Sequence, residues 1–110
     1  MWMNVACLVG RAASEPKQRT TANGTKYVTL RVAVRRSGQH TDFFTVEMWG
    51  QIARHALEQV TVGRLLSLRC ELRQQEWGAG DDRKERVTLV VRKLGFLTPR
   101  ATATNEADAA

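Results

Sequence analysis

Apolar and polar side chains alternate with a period of two through most of this chain, the period of strands rather than helices. Val5-Ala6-Cys7-Leu8-Val9 is apolar at every position and reads as a strand buried on both sides. Residues 12–24 are polar, contain Pro16 and the turn pair Asn23-Gly24, and read as a loop. From Tyr27 the alternation is clean. Val28, Leu30, Val32 and Val34 point one way, and Tyr27, Thr29, Arg31, Ala33 and Arg35 point the other, as in a half-buried second strand. After a short turn at Ser37-Gly38-Gln39-His40, a third strand puts Phe44, Val46 and Met48 on one face. Its opposite face carries Phe43, Thr45, Glu47 and Trp49, and Gly50 ends it. Only residues 51–60 have helical spacing, with Ile52, Ala53, Ala56, Leu57 and Val60 on one stripe. A fourth strand follows Gly63, with Leu66, Leu68, Cys70 and Leu72 inward and Arg69, Glu71, Arg73, Gln75 and Trp77 outward. Gly78-Ala79-Gly80-Asp81-Asp82 is a loop, and residues 85–97 form a fifth strand.

This order predicts an all-β fold with one short helix between strands 3 and 4. Five such strands lose their exposed edges only if the sheet closes, and the five-stranded OB-fold barrel closes it with a helix in that place. One folded domain is expected over residues 1–97, and a short disordered tail over 98–110, where small and polar residues surround Pro99.

Composition narrows the class. The chain has 110 residues, 43% of them hydrophobic and 25% charged, which suits one globular domain and excludes a disordered one. No apolar run approaches the ~20 residues of a membrane span, so no membrane partner is expected. Met1-Trp2-Met3-Asn4 lacks the basic start and apolar stretch of a signal peptide, and the expected location is cytoplasmic. Cys7 and Cys70 stand among aliphatic residues without a CxxC pair, so two buried reduced thiols are expected, with no metal and no cofactor. The charge is more informative. The formal net charge is +6, and residues 1–97 hold 16 basic against 9 acidic side chains. A basic folded body suits a polyanionic partner, although many basic proteins bind no nucleic acid.

The outward faces carry the candidate chemistry. Strand two presents Tyr27, Arg31 and Arg35, strand three Phe43 and Trp49, and strand four Arg69, Arg73 and Trp77. Large aromatics on the polar side of three neighbouring strands, mixed with arginine, contradict a simple inside-outside partition. Binding of an unpaired nucleic-acid strand needs this mixture, because ring faces stack on bases while guanidinium groups track phosphates. The competing role for each aromatic is to cover a barrel end, pack under a loop or fill a subunit interface. Each arginine could equally belong to a solvated face. Catalysis has little support: His40 lies in a turn and His55 on the helix, with no nucleophile or carboxylate at a triad spacing. Asp81-Asp82 is a turn pair, and Gly78 and Gly80 do not lead into a helix as a phosphate loop would. No enzymatic activity is expected.

At these residues the chain resembles the bacterial single-stranded DNA-binding proteins. Residues 4–11, Asn-Val-Ala-Cys-Leu-Val-Gly-Arg, and then Glu15-Pro16-Lys17-Gln18-Arg19, resemble that family's opening strand and acidic-Pro-x-x-Arg loop. Asn23-Gly24-Thr25 leads into the second strand as in the family. Residues 43–53, from Phe43 through Trp49-Gly50 to Ala53, are similar to its third strand and helix start. Leu72-Arg73-Gln74-Gln75-Glu76-Trp77 is similar to the strand that ends in a stacking tryptophan. The resemblance covers residues 3–97. It implies stacking roles for Phe43, Trp49 and Trp77, phosphate roles for Arg19, Arg35 and Arg73, and a homo-oligomer, a tetramer by the family habit or a dimer. The implied work is DNA replication, recombination or repair. The chain departs from the family in three places. Ser37-Gly38 stands where another tryptophan is common, the hairpin after it is short, and the end is Asp108-Ala109-Ala110. The family ends in an acidic, Phe-terminated tip that recruits repair enzymes, so no such recruitment is expected. The alternative is a primosomal-type adaptor of the same fold whose main partner is another protein, with weak DNA binding. An RNA chaperone on the same stacking surface is a third reading, since nothing in the sequence addresses the 2′-hydroxyl.

Overall fold

The computed structural model describes residues 1–99. Six strands and one α-helix run in the order β1 (Ala6–Ala12), β2 (Lys17–Thr20), β3 (Lys26–Arg35), β4 (Thr41–Trp49), α1 (Gly50–Gln59), β5 (Leu65–Trp77) and β6 (Lys84–Phe96), with a single 3-10 turn, Gly80–Asp82, between the last two strands. They form one sheet in the order β1-β5-β6-β4-β3-β2. A further pairing of β1 with β3 closes five of the strands into a barrel, which leaves β2 as an appended edge. The helix follows the strand that carries Phe43 and Trp49, as expected. It stands between the fourth and fifth strands only because β2 is counted.

β2 corrects the predicted loop. All four of its residues are exposed, so no apolar alternation marks it, and its existence depends on backbone pairing with β3 from Lys17↔Thr29 to Thr20↔Lys26. Closure depends on Gly10. A Cβ there would collide with the Ala33 carbonyl, so glycine lets β1 press against β3 where Arg11 and Ala12 pair with Ala33 and Val32.

The barrel core is the inward set of the alternation. Val28, Leu30, Val32, Val46, Met48, Leu66, Leu68 and Cys70 are buried, and Ala53 and Ala56 of α1 pack onto them. Four inward readings on the strands fail, the first of them Val5 at 55% exposure. Val9 is 56% exposed and Cys7 is exposed, so β1 is buried on one side only. Leu72 is 43% exposed. A register irregularity marks where the barrel ends: Arg69 pairs with Lys93 but Cys70 pairs with Val91, which leaves Arg92 as an extra residue on β6. Beyond it β5 and β6 leave the barrel as a two-stranded arm reaching to the pair Trp77↔Lys84. Side chains there no longer meet a core, which is why alternation misplaced Leu72.

Thr98 belongs to the folded body. Its hydroxyl accepts from the Leu65 amide at 3.1 Å, and its carbonyl accepts from Arg64 Nε at 3.0 Å. The rest of the predicted tail, from residue 100 onward, lies outside the described residues.

Candidate nucleic-acid interface

The outward side chains of β2, β3 and β4 form one surface, and the β5–β6 arm overhangs it. Strand register decides who meets whom. Tyr27 pairs with Trp49 across β3 and β4, and their rings stack at 4.5 Å between centroids with 13° between planes. One face of Trp49 is therefore covered by Tyr27, and the residue keeps 36% exposure. At the other end of the same two strands Ala33 pairs with Phe43, and the Arg31 guanidinium lies 5.1 Å from the Phe43 ring centre. A cation over the ring leaves Phe43 half exposed, with its π-system held beside a positive charge.

Two open grooves flank Trp49. The first is lined by Glu47, Trp49, Arg73, Gln74, Gln75, Thr88, Val90 and Arg92. The second is lined by Arg19, Tyr27, Thr29, Thr45, Glu47, Arg86, Val87 and Thr88. Glu47 and Thr88 belong to both, so the grooves are continuous beneath the arm. The first holds about 340 Å³ and the second about 350 Å³.

The basic side chains are held by neighbours. Arg19 Nε donates to Thr29 Oγ1 at 3.3 Å. Glu71 bridges two arginines, accepting from Arg92 at 2.6 Å and from Arg73 at 3.3 Å. The hydrogen bond from Arg92 holds the Glu71 carboxyl below its ordinary range, helped by the charges of Arg92 and Arg73. Arg86 donates to Gln75 at 2.9 Å and lies 5.8 Å from the Trp77 ring centre. Trp77 itself is half exposed at the end of the arm, opposite Lys84, with Arg86 two residues further along β6.

Of the eight site residues expected from sequence, Arg19, Trp49 and Arg73 line the grooves. Arg31 and Phe43 form the cation–ring pair on the same β3–β4 surface, and Arg35 lies at its far end, opposite Thr41. Trp77 caps the arm. Arg69 is apart: its neighbours are Cys7 on β1 and Lys93 on β6, on the side of the barrel where neither groove runs. Sequence reasoning missed Arg86, Arg92 and Thr88 of β6. Their signal was present in the ladder, because Thr88 and Arg86 sit opposite Arg73 and Gln75 once the arm is registered. Glu47 was placed on the outward face but not foreseen as buried.

A closed five-stranded barrel with a helix between β4 and β5, and with aromatics and arginines gathered on one outer surface, is an OB-fold with a built groove. The single-strand binding protein family matches residues 3–97, and the chain belongs to that family. A single-stranded DNA-binding protein of Thermosynechococcus vestitus is 33% identical, over 96% of this chain and 92% of that one. Another, from Thermotoga maritima, is 33% identical over 69% of this chain and 60% of its own length. Among solved structures, the small single-stranded DNA-binding protein of Streptomyces coelicolor matches with a TM-score of 0.66 and 25% identity, covering 87% of this chain and 95% of that one. The Plasmodium falciparum SSB in complex with ssDNA shares the fold with a TM-score of 0.71 at 22% identity, over 89% and 97%.

Proposed function

We infer that this protein binds single-stranded DNA without strong dependence on the surrounding sequence, as a non-catalytic partner of DNA replication, recombination or repair. One observation carries the reading: Trp49 is stacked from behind by Tyr27 and fronts a groove walled by Arg73 and Arg92. A ring braced on one side costs little ordering when a base stacks on the other, and each such stack is worth roughly 1–3 kcal/mol. Phe43 and Trp77 extend the stacking surface to either side, and Arg19, Arg31, Arg35 and Arg73 follow the phosphates. Arg69, on the opposite side, joins only if the strand wraps the barrel.

A second copy of the chain is the natural cover for β1. Trp2 is 98%, Met3 84%, Val5 55% and Val9 56% exposed, apolar side chains of β1 and of the segment leading into it that no neighbour covers in one chain. We read this as the homo-oligomer contact. The described residues include no helix long and apolar enough to cross a membrane, and we propose a cytoplasmic location from the DNA partner alone.

Changing Phe43, Trp49 and Trp77 together to Ala tests the reading. The folded triple variant is expected to lose oligo-dT binding, and unchanged affinity in it would refute the stacking surface and favour a protein partner for these aromatics.

A further inference from the structure

Glu47 is the only carboxylate among the residues lining the two grooves, and it lines both. It is 9% exposed. Among the described residues no side-chain hydrogen bond or ion pair engages its carboxylate, and its register partners, Thr29 on β3 and Val90 on β6, carry no charge. Buried carboxylates are ordinarily paired. The four arginines of the two grooves are engaged elsewhere: Glu71 holds Arg73 and Arg92, Arg19 donates to Thr29, and Arg86 donates to Gln75. An unpaired negative charge in the floor of a groove that takes a polyanion repels phosphate from that point. What gains there is a group with N–H donors, and on a DNA strand those are on the base edges.

The placement fits a base. Trp49 lies two residues along β4 on the same face, about 7 Å away by strand rise. A base stacked on the free side of Trp49 turns its edge toward Glu47. We propose that Glu47 reads that edge and gives the groove a base preference, guanine first and thymine last. Guanine N1–H and N2–H lie side by side and match the two carboxylate oxygens. Cytosine and adenine each offer one amino group. Thymine offers a single N–H between two carbonyl oxygens, and those would face the carboxylate. The proposal rests on the strand-binding reading above and adds selectivity to it.

The test compares oligo-dT with an oligomer of the same length in which isolated thymines are replaced by guanine. Wild-type protein should bind the guanine-containing strand about fivefold more tightly, the lower end of a two-bond base contact and a modest preference on an otherwise sequence-tolerant surface. Glu47→Gln removes the charge and adds a donor that can face thymine. In it the ratio should fall to within about twofold, with oligo-dT affinity raised. If the variant binds both strands more tightly but keeps the wild-type ratio, Glu47 only repels phosphate and the proposal is overturned. Equal binding of both strands by wild type overturns it too, while leaving the strand-binding reading intact. Binding of neither strand removes both. If the variant does not fold, the wild-type ratio alone decides.

Discussion

Single side chains decide whether the groove can hold a strand. Trp49 is the sharpest case, because Tyr27 fixes its ring at 4.5 Å before any base arrives. Trp49→Ala is expected to weaken oligo-dT binding by about 1–3 kcal/mol, measured by anisotropy of a labelled strand. Tyr27→Ala should weaken it less, since the base itself loses no contact. Glu71 organises the arginine wall, and its carboxyl is held below the ordinary range chiefly by the Arg92 hydrogen bond. A depressed carboxylate keeps its bridge above the ordinary range and loses it only as pH falls through its own lower value. The Glu71 side-chain carbonyl shift in an NMR titration should therefore still report the ionised form where free glutamates have taken up a proton. Cys70 behaves in the opposite sense. Burial, and to a lesser degree Cys7, pushes its thiol from 9.0 up to about 11. Its contribution to stability is whole below the unfolded value and declines as pH rises toward 11. In the dissociated chain a thiol alkylating agent should label Cys7, which is exposed there on the same face as Val9, and spare Cys70.

Elements divide the work between scaffold and arm. The buried set lies in β1, β3, β4, the first half of β5, the second half of β6 and α1, and none of it comes from the arm beyond Cys70 and Val90. Replacing residues 73–87 with a tight turn should leave the barrel folded, with a circular dichroism spectrum and cooperative melt like wild type. It should also weaken DNA binding strongly, because Arg73, Trp77, Arg86 and part of both grooves go with it. A melt that loses cooperativity would mean the arm supports the core. The element scale is also where sequence reading succeeded and failed for clear reasons. β3 and β4 were legible because one face of each is in the core and alternation is the direct image of that burial. β2 was not, since four exposed residues carry no burial signal. Leu72 was misread because β5 leaves the barrel beyond Cys70, and an apolar alternation does not show where a strand parts from its core. The aromatics and arginines of β3 and β4 could be placed on one face from sequence, but their convergence with Arg86 and Arg92 depends on the arm folding back over β4. Only pairing across β5 and β6 brings that about.

For the whole molecule, charge and closure act together. The barrel removes every edge but β2, and the excess of basic side chains over acidic ones, +6 in all, draws a polyanion to the open surface. Neutralising n phosphates should give a plot of log affinity against log salt with slope near −0.7n, and removing Arg73 should reduce that slope by about one phosphate. The apolar run on β1 predicts an assembly: Val9→Asp should shift the protein toward the monomer in sedimentation, while the barrel, whose core excludes Val9, stays folded. The most direct measurement is a titration with oligo-dT followed by tryptophan fluorescence at low and moderate salt, with duplex DNA alongside. Bases stacking on Trp49 and Trp77 predict strong quenching by the single strand alone, weakening as salt rises. Absence of quenching and of binding at low salt would contradict the account, and the exposed aromatics would then belong to an interface between proteins.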